Sequence, residues 1–179
     1  MKINEKTRLF LVGYMGAGKT TIGKMLAKKL NWSFADTDYF IENRYRQSIT
    51  TIFEERGEAC FREIEHRALV EICNFEKIVV STGGGLPCFF DNMDLMNQTG
   101  ITIYLKESVN GLVKRLNFDR QKRPLIKGKK PEELQNFIET SLKKRESFYN
   151  KATIVFDAPF CSTEKEINHL IEKLLIHIS

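Results

Sequence analysis

The run Gly13-Tyr14-Met15-Gly16-Ala17-Gly18-Lys19-Thr20 has the spacing G-x-x-x-x-G-K-[ST], a pattern suited to holding phosphate. Its glycines let successive backbone N–H groups turn toward one anion without side-chain obstruction. The helix that follows adds the partial positive charge of its N-terminus. Backbone donors are expected from Gly16, Ala17 and Gly18, with Thr21 counted among the nucleotide contacts although it lies inside the helix. Lys19 is expected to reach the β- and γ-phosphates, and the Thr20 hydroxyl to ligate Mg2+. That chemistry is phosphoryl transfer from a nucleoside triphosphate.

Two carboxylates, Asp36 and Asp38, stand one residue apart at the end of an apolar run. If the chain is extended there, they share a face. Beside a metal-bound triphosphate they can divide the work. One would support the metal or its waters, and the other would accept a proton from an attacking hydroxyl. Caps and turns use aspartate too, so position at a strand's carboxyl end is what favours the functional reading. Further along, Gly83-Gly84-Gly85 permits close approach of backbone to a ligand. Arg62, Arg123 and Arg145 lie in separate segments, and guanidinium is the group for bidentate capture of carboxylate or phosphate. Spacing alone does not lift any one of these arginines above a surface residue.

The elements that must position these groups follow from periodicity. Arg8–Val12 reads as a buried strand, followed by a helix to Leu30 whose Ile22, Met25, Leu26 and Leu30 share one side. Trp32–Ala35 reads as a second strand running into Asp36-Thr37-Asp38. Helices are expected at about Tyr39–Arg46 and Ile49–Arg56, the second capped by Ser48, with Gly57 breaking the chain before a longer helix through Cys73. Lys77–Ser81 is the clearest central strand. A helix near Asp91–Asn97, strand Ile101–Leu105 and a helix from Ser108 to about Leu116 follow. Pro131 suits a helix start, and that helix runs to about Tyr149. Ala152–Phe156 is a last strand, and Thr163-x-x-Glu166 a capping box opening the last helix. Alternation of apolar strands with helices predicts a three-layer α/β/α fold on a five-stranded parallel sheet. Ligands are then expected beyond the carboxyl ends of the strands.

Composition sets bounds. The chain has 179 residues, 42% hydrophobic and 28% charged, which suits one soluble domain. No apolar run approaches the ~20 residues of a membrane span, and the polar N-terminus does not resemble a signal peptide. A cytoplasmic monomer with no membrane partner is expected. Cys60, Cys73, Cys88 and Cys161 show no metal or disulfide spacing and are expected to be reduced thiols. His66, His169 and His177 are expected on helix surfaces. The net charge of +5 suits nucleic acid or a small anion. From Lys114 to Lys130 eight basic residues accompany one acid, Asp119. No aromatic ladder for base stacking goes with them, so nucleic acid is not expected, and the stretch reads as a mobile segment closing over phosphates or as a solvated loop. A Ras-like GTPase would need N-K-x-D, which is absent.

Over nearly its whole length the chain resembles the shikimate kinase family. The resemblance rests on Gly13–Thr21, Asp36-Thr37-Asp38 and Ser81-Thr82-Gly83-Gly84-Gly85 in order. It includes Ser48-Ile49, Ile52-Phe53, Gly57-Glu58, Phe61-Arg62-x-Ile64-Glu65, Arg123-Pro124-Leu125, and Lys144-Arg145 with Tyr149. It implies a P-loop kinase fold in one domain, residues 1–179, with a lid at about 112–128 and a substrate region at about 36–65. It also implies ATP-dependent phosphorylation of the 3-hydroxyl of shikimate, with ATP and Mg2+, on the way to chorismate and aromatic amino acids. Asp38 would hold the acceptor hydroxyl, and Asp36 would support Mg2+ through water. Arg62 and Arg145 would clamp the carboxylate, with Gly83, Gly84 and Gly85 beside it. Arg123 would stabilise the transferring phosphoryl group, and Arg115 would stack on adenine. The segment Asp157-Ala158-Pro159-Phe160 is shorter than the basic adenine loop of many relatives. Rival readings are a gluconate- or nucleoside-type kinase on the same fold, an ATP-binding regulator without turnover, and a nucleic-acid-binding protein.

Overall fold

The computed structural model describes residues 7–119, 126 and 128–178. Among these, the apolar runs form five strands: β1 (Arg8–Val12), β2 (Ser33–Asp36), β3 (Ile78–Ser81), β4 (Ile101–Lys106) and β5 (Ile154–Asp157). All neighbours are parallel, in the order β2-β3-β1-β4-β5. The register sets Phe10 of β1 beside Val80 of β3 on one side and Thr102 of β4 on the other. Leu9 to Val12 and the whole of β3 are buried, as parallel strands covered on both faces must be. Helix α1 (Lys19–Leu30) packs on β2 and β3 and against α7 (Glu164–Ile178), while α4 (Asn92–Thr99) packs on β4 and α5 (Val109–Asp119) pairs with α6 (Pro131–Tyr149). Because β1 sends the chain toward β2 and β4 sends it toward β5, the loops leaving them diverge. That divergence opens a crevice at their carboxyl ends.

Two expectations need correction, at Asp36 and at His66. Asp36 and Asp38 do not share an extended face: α2 (Thr37–Tyr45) begins directly after β2, and the Asp36 carboxylate caps it by accepting the Asp38 N–H at 3.1 Å. The break expected at Gly57 is present: φ 74° and ψ 172° there are non-helical and divide α3 (Ile49–Ile72) into two helical segments across a kink, a conformation open to glycine at low cost. His66 is not simple solvated surface, since its Nδ1 lies 2.7 Å from Asn92 Oδ1. The remaining elements agree within a few residues, including the Ser48 cap on Thr51 N–H (3.1 Å) and the reciprocal Thr163–Glu166 box. The four cysteines are free thiols.

Apolar burial divides into two clusters. The larger surrounds the sheet. The smaller, Ile41, Ile52, Phe61, Ile64 and Ala68, lies between α2 and α3. It fixes the helix that carries Arg62.

Candidate active site

At the end of β1 the chain turns through Gly16 (φ 84°) and Gly18 (φ 91°) into α1. A side chain at Gly18 would be strained, and its Cβ would stand 2.5 Å from Arg115 Nη1. Ala17 is buried and donates its N–H to the Tyr14 carbonyl. Lys19, 8% exposed, donates from Nζ to the carbonyls of Gly13 (2.7 Å) and Tyr14 (2.9 Å). The loop thus holds its cation at the anion-binding face of the helix.

The Thr20 hydroxyl donates to Asp36 Oδ2 at 2.8 Å and lies 3.4 Å from Ser81 Oγ. Three hard oxygen donors from the ends of β2, β3 and the start of α1 therefore meet. Among the described residues no group of three or more His, Cys, Asp or Glu side chains could hold a metal ion. A cation here would complete its shell with phosphate and water oxygens. That requirement fits Mg2+, which keeps several waters and takes few protein ligands.

Asp38 lies on the wall of the same cavity as Lys19 and Thr20. Burial pushes its carboxyl up to about 6, with the charge of Asp36 adding to the shift and Lys19 opposing it. Beside it runs the glycine loop after β3. Gly83 N–H donates to the buried Thr37 hydroxyl at 2.8 Å, which fixes the loop on the start of α2. A Cβ on Gly83 would stand 2.8 Å from Asp38 Oδ1 and 3.0 Å from Glu65 Oε1. Only the absence of a side chain lets the two carboxylates converge. Gly83→Ala is therefore expected to displace Asp38 and lower kcat by about 100-fold, the scale of a 1 Å misplacement. Steady-state kinetics with an unchanged melting temperature would check it.

Arg62 and Arg145 meet at this same loop. Arg62, on α3, donates to Glu65 Oε2 at 2.5 Å and to Glu58 Oε1 at 2.8 and 3.2 Å. Gly85 rests against it, since a Cβ there would be 2.7 Å from Arg62 Nη1. Arg145, on α6, lies over the Tyr14 ring, and a Cβ on Gly84 would be 3.6 Å from its Nη1. Tyr149, one turn on, donates its hydroxyl to the Gly84 carbonyl at 2.6 Å. The loop is thus held between two guanidinium groups.

Sequence reasoning gave Glu65 no role of its own. It is 2% exposed, and burial raises its carboxyl to about 7 against the opposing charge of Arg62. The Arg62-x-x-Glu65 spacing, one helical turn, was the available clue. Thr37 and Tyr14 carried no such clue.

The cavity, about 510 Å3, runs from Asp38, Gly83 and Gly84 past the phosphate loop to Arg115, Pro159, Cys161, Ile167 and Leu170. Thr21 also lines it. Arg115, on α5, donates to the Gly16 carbonyl at 2.7 Å and stacks over Phe160 at 5.1 Å. The far end is thus a cation and an apolar wall, a fit for a flat base. Its α7 portion was not legible from the sequence. Arg123 lies outside the described residues.

Comparison with known proteins shows the family. The family model described as shikimate kinase matches residues 15–175. A shikimate kinase of Parabacteroides distasonis is 54% identical over 168 residues, covering 94% of this chain and 97% of that protein. The crystal structure of shikimate kinase from Bacteroides thetaiotaomicron superposes with a TM-score of 0.92 at 45% identity, covering 96% of this chain and 99% of that one. A shikimate kinase from Acinetobacter baumannii in complex with shikimate gives a TM-score of 0.81 at 34% identity, covering 96% and 92%.

Proposed function

Because the chain belongs to the shikimate kinase family, we propose that the groups assembled around its glycine loop carry out that family's reaction in the roles that follow. The enzyme phosphorylates the 3-hydroxyl of shikimate with ATP, giving shikimate 3-phosphate and ADP, a step of aromatic amino acid biosynthesis.

The phosphate loop and Lys19 hold the β- and γ-phosphates, and Arg115 with the Pro159–Cys161 wall holds the base. Thr20 and Asp36 would hold Mg2+, which would supply positive charge against the phosphates. Arg62 and Arg145 take the shikimate carboxylate, with backbone contacts from Gly83, Gly84 and Gly85. Asp38 accepts a hydrogen bond from the 3-hydroxyl. As its oxygen bonds to the γ-phosphorus, the bond from that phosphorus to the β,γ-bridging oxygen breaks. The hydroxyl proton passes to the Asp38 carboxylate, and ADP leaves. Arg123 is assigned to the charge on the transferring group. Little covalent chemistry is asked of the protein, whose contribution is placement and electrostatics.

The observation that carries the reading is the placement of Asp38 on the wall shared with Lys19 and Thr20, beside a loop flanked by Arg62 and Arg145. ADP release from MgATP tests it, with shikimate, gluconate and nucleoside monophosphates as parallel acceptors. Turnover is expected with shikimate alone. Turnover with a nucleoside monophosphate, which has no carboxylate, and not with shikimate would overturn the carboxylate clamp as drawn.

The proposal extends to a monomer at work in the cytoplasm, with no nucleic-acid or membrane partner. In its support, no helix among the described residues is long and apolar enough to cross a membrane. Sedimentation and a salt-dependent polynucleotide titration would test it.

A further inference from the structure

Arg62 is enclosed by aromatic rings as well as by acids. The ring centroids of Phe53 and Phe61 stand 5.6 and 5.3 Å from its Cζ, but that of Phe89 stands at 4.1 Å. At that distance a phenyl ring lies against the guanidinium face. Phe89 comes from neither helix of the clamp. It is delivered by the chain just past the glycine loop, where Leu86–Cys88 forms a single 3-10 turn containing Pro87.

This turn is braced. The Asn92 side chain, 1% exposed, donates to the Leu86 carbonyl at 2.9 Å and also meets His66 Nδ1 at 2.7 Å. His66 stands one turn after Arg62 on the same helix, and its ring contacts Phe90 at 5.2 Å. Phe90 has φ 50°, an unfavourable conformation for a bulky residue that persists only where its surroundings impose it. Sequence, strain and brace all serve to return the chain over Arg62.

The hydrogen bonds of Arg62 define what remains. Glu58 takes one N–H from Nε and one from Nη2, and Glu65 takes one from Nη1. By count of donors, one N–H of Nη1 and one of Nη2 remain beyond these bonds among the described residues. Two N–H groups on neighbouring nitrogens are what a carboxylate takes in a bidentate pair.

We propose that Phe89 is a positioning residue for the acceptor. Its ring covers a face of Arg62, excludes water there and presents the Nη1/Nη2 edge to the substrate carboxylate. The proposal rests on the reading of Arg62 as carboxylate clamp. A ring over the guanidinium face is attractive in itself and stronger when desolvated.

Kinetics of Phe89→Leu, Phe89→Trp, Arg62→Ala and the Arg62→Ala/Phe89→Leu double variant test it. Phe89→Leu keeps apolar bulk and loses the ring. It is expected to raise shikimate KM about threefold to thirtyfold, with kcat within about twofold and MgATP KM unchanged. Phe89→Trp is expected to stay near wild type. The double variant is expected to be no worse than Arg62→Ala, because Phe89 acts through Arg62. A parallel fall in kcat and MgATP affinity in Phe89→Leu would mark a merely structural role and overturn the proposal. An unchanged shikimate KM in Phe89→Leu, beside a large rise in Arg62→Ala, would overturn it while leaving the clamp intact. Equal loss in the leucine and tryptophan variants would also overturn it. An unchanged KM in Arg62→Ala would sink the clamp reading and this proposal together.

Discussion

Asp38→Asn lowers kcat by about 10²- to 10⁴-fold, the range for loss of a general base, and changes shikimate KM and MgATP affinity little. Asparagine keeps the size and a hydrogen-bonding oxygen, so substrates still bind; what it cannot do is take the hydroxyl proton. A fall in kcat and kcat/KM by equal factors is the signature of an interaction made in the transition state. Retained turnover would remove Asp38 from the mechanism. The pH profile gives a second reading of the same group. Burial and Asp36 hold its carboxyl at about 6, and it acts as the anion. In wild type kcat/KM for shikimate is therefore expected to fall as pH drops through about 6. Asp38→Asn should remove that acid limb.

Arg62→Ala raises shikimate KM about 30- to 1,000-fold, the cost of deleting one partner of a buried charge pair. Binding of MgADP should stay within about twofold, because Arg62 does not line the nucleotide cavity. An equal loss of nucleotide affinity would show that the partition of the pocket is wrong. The variant carries a stability signature as well. Arg62 holds down the carboxyl of Glu65, which burial already raises to about 7. Without the guanidinium that carboxyl rises further, so the folded variant keeps a proton where the folded wild type loses it. The folded state with the higher value loses stability as pH climbs, relative to the other. The melting-temperature deficit of Arg62→Ala should therefore be larger at pH 9 than at pH 6. A constant deficit would show that Glu65 is not coupled to Arg62.

How much of this could be read in advance depended on whether a feature is local. The phosphate loop is seven peptide units whose function needs only their own backbone and one helix, so its spacing sufficed. The Ser48 cap and the Thr163–Glu166 box are contacts across three residues, and they were legible for the same reason. Asp36 and Asp38 stand out in the sequence, but their relation does not. A cap and a strand end both favour aspartate, and only the start of α2 at Thr37 decides between them. Arg62 and Arg145 are 83 positions apart on helices that meet at Gly84 and Gly85. Periodicity says which face of each helix is apolar, not which loop lies at its end; the resemblance to a known family, not the spacing, named them. Glu65 was hidden because a buried acid on a helix looks like any solvated one until its partner is placed.

The small cluster of Ile41, Ile52, Phe61, Ile64 and Ala68 is separate from the one around the sheet. Phe40 packs against both, so substitutions deep in the two clusters add rather than compound only where that ring keeps its place. Of the groups that read the acceptor, Arg62 and Glu65 ride on the smaller cluster, whereas Arg145 and the glycine loop after β3 ride on the larger with the phosphate loop. Over evolutionary time the chain could therefore vary one jaw of its acceptor clamp, one tolerated substitution after another, while the other jaw stays tied to the half that handles the triphosphate. A lineage built this way is freer to adjust how an acceptor fits than to replace the anion it presents.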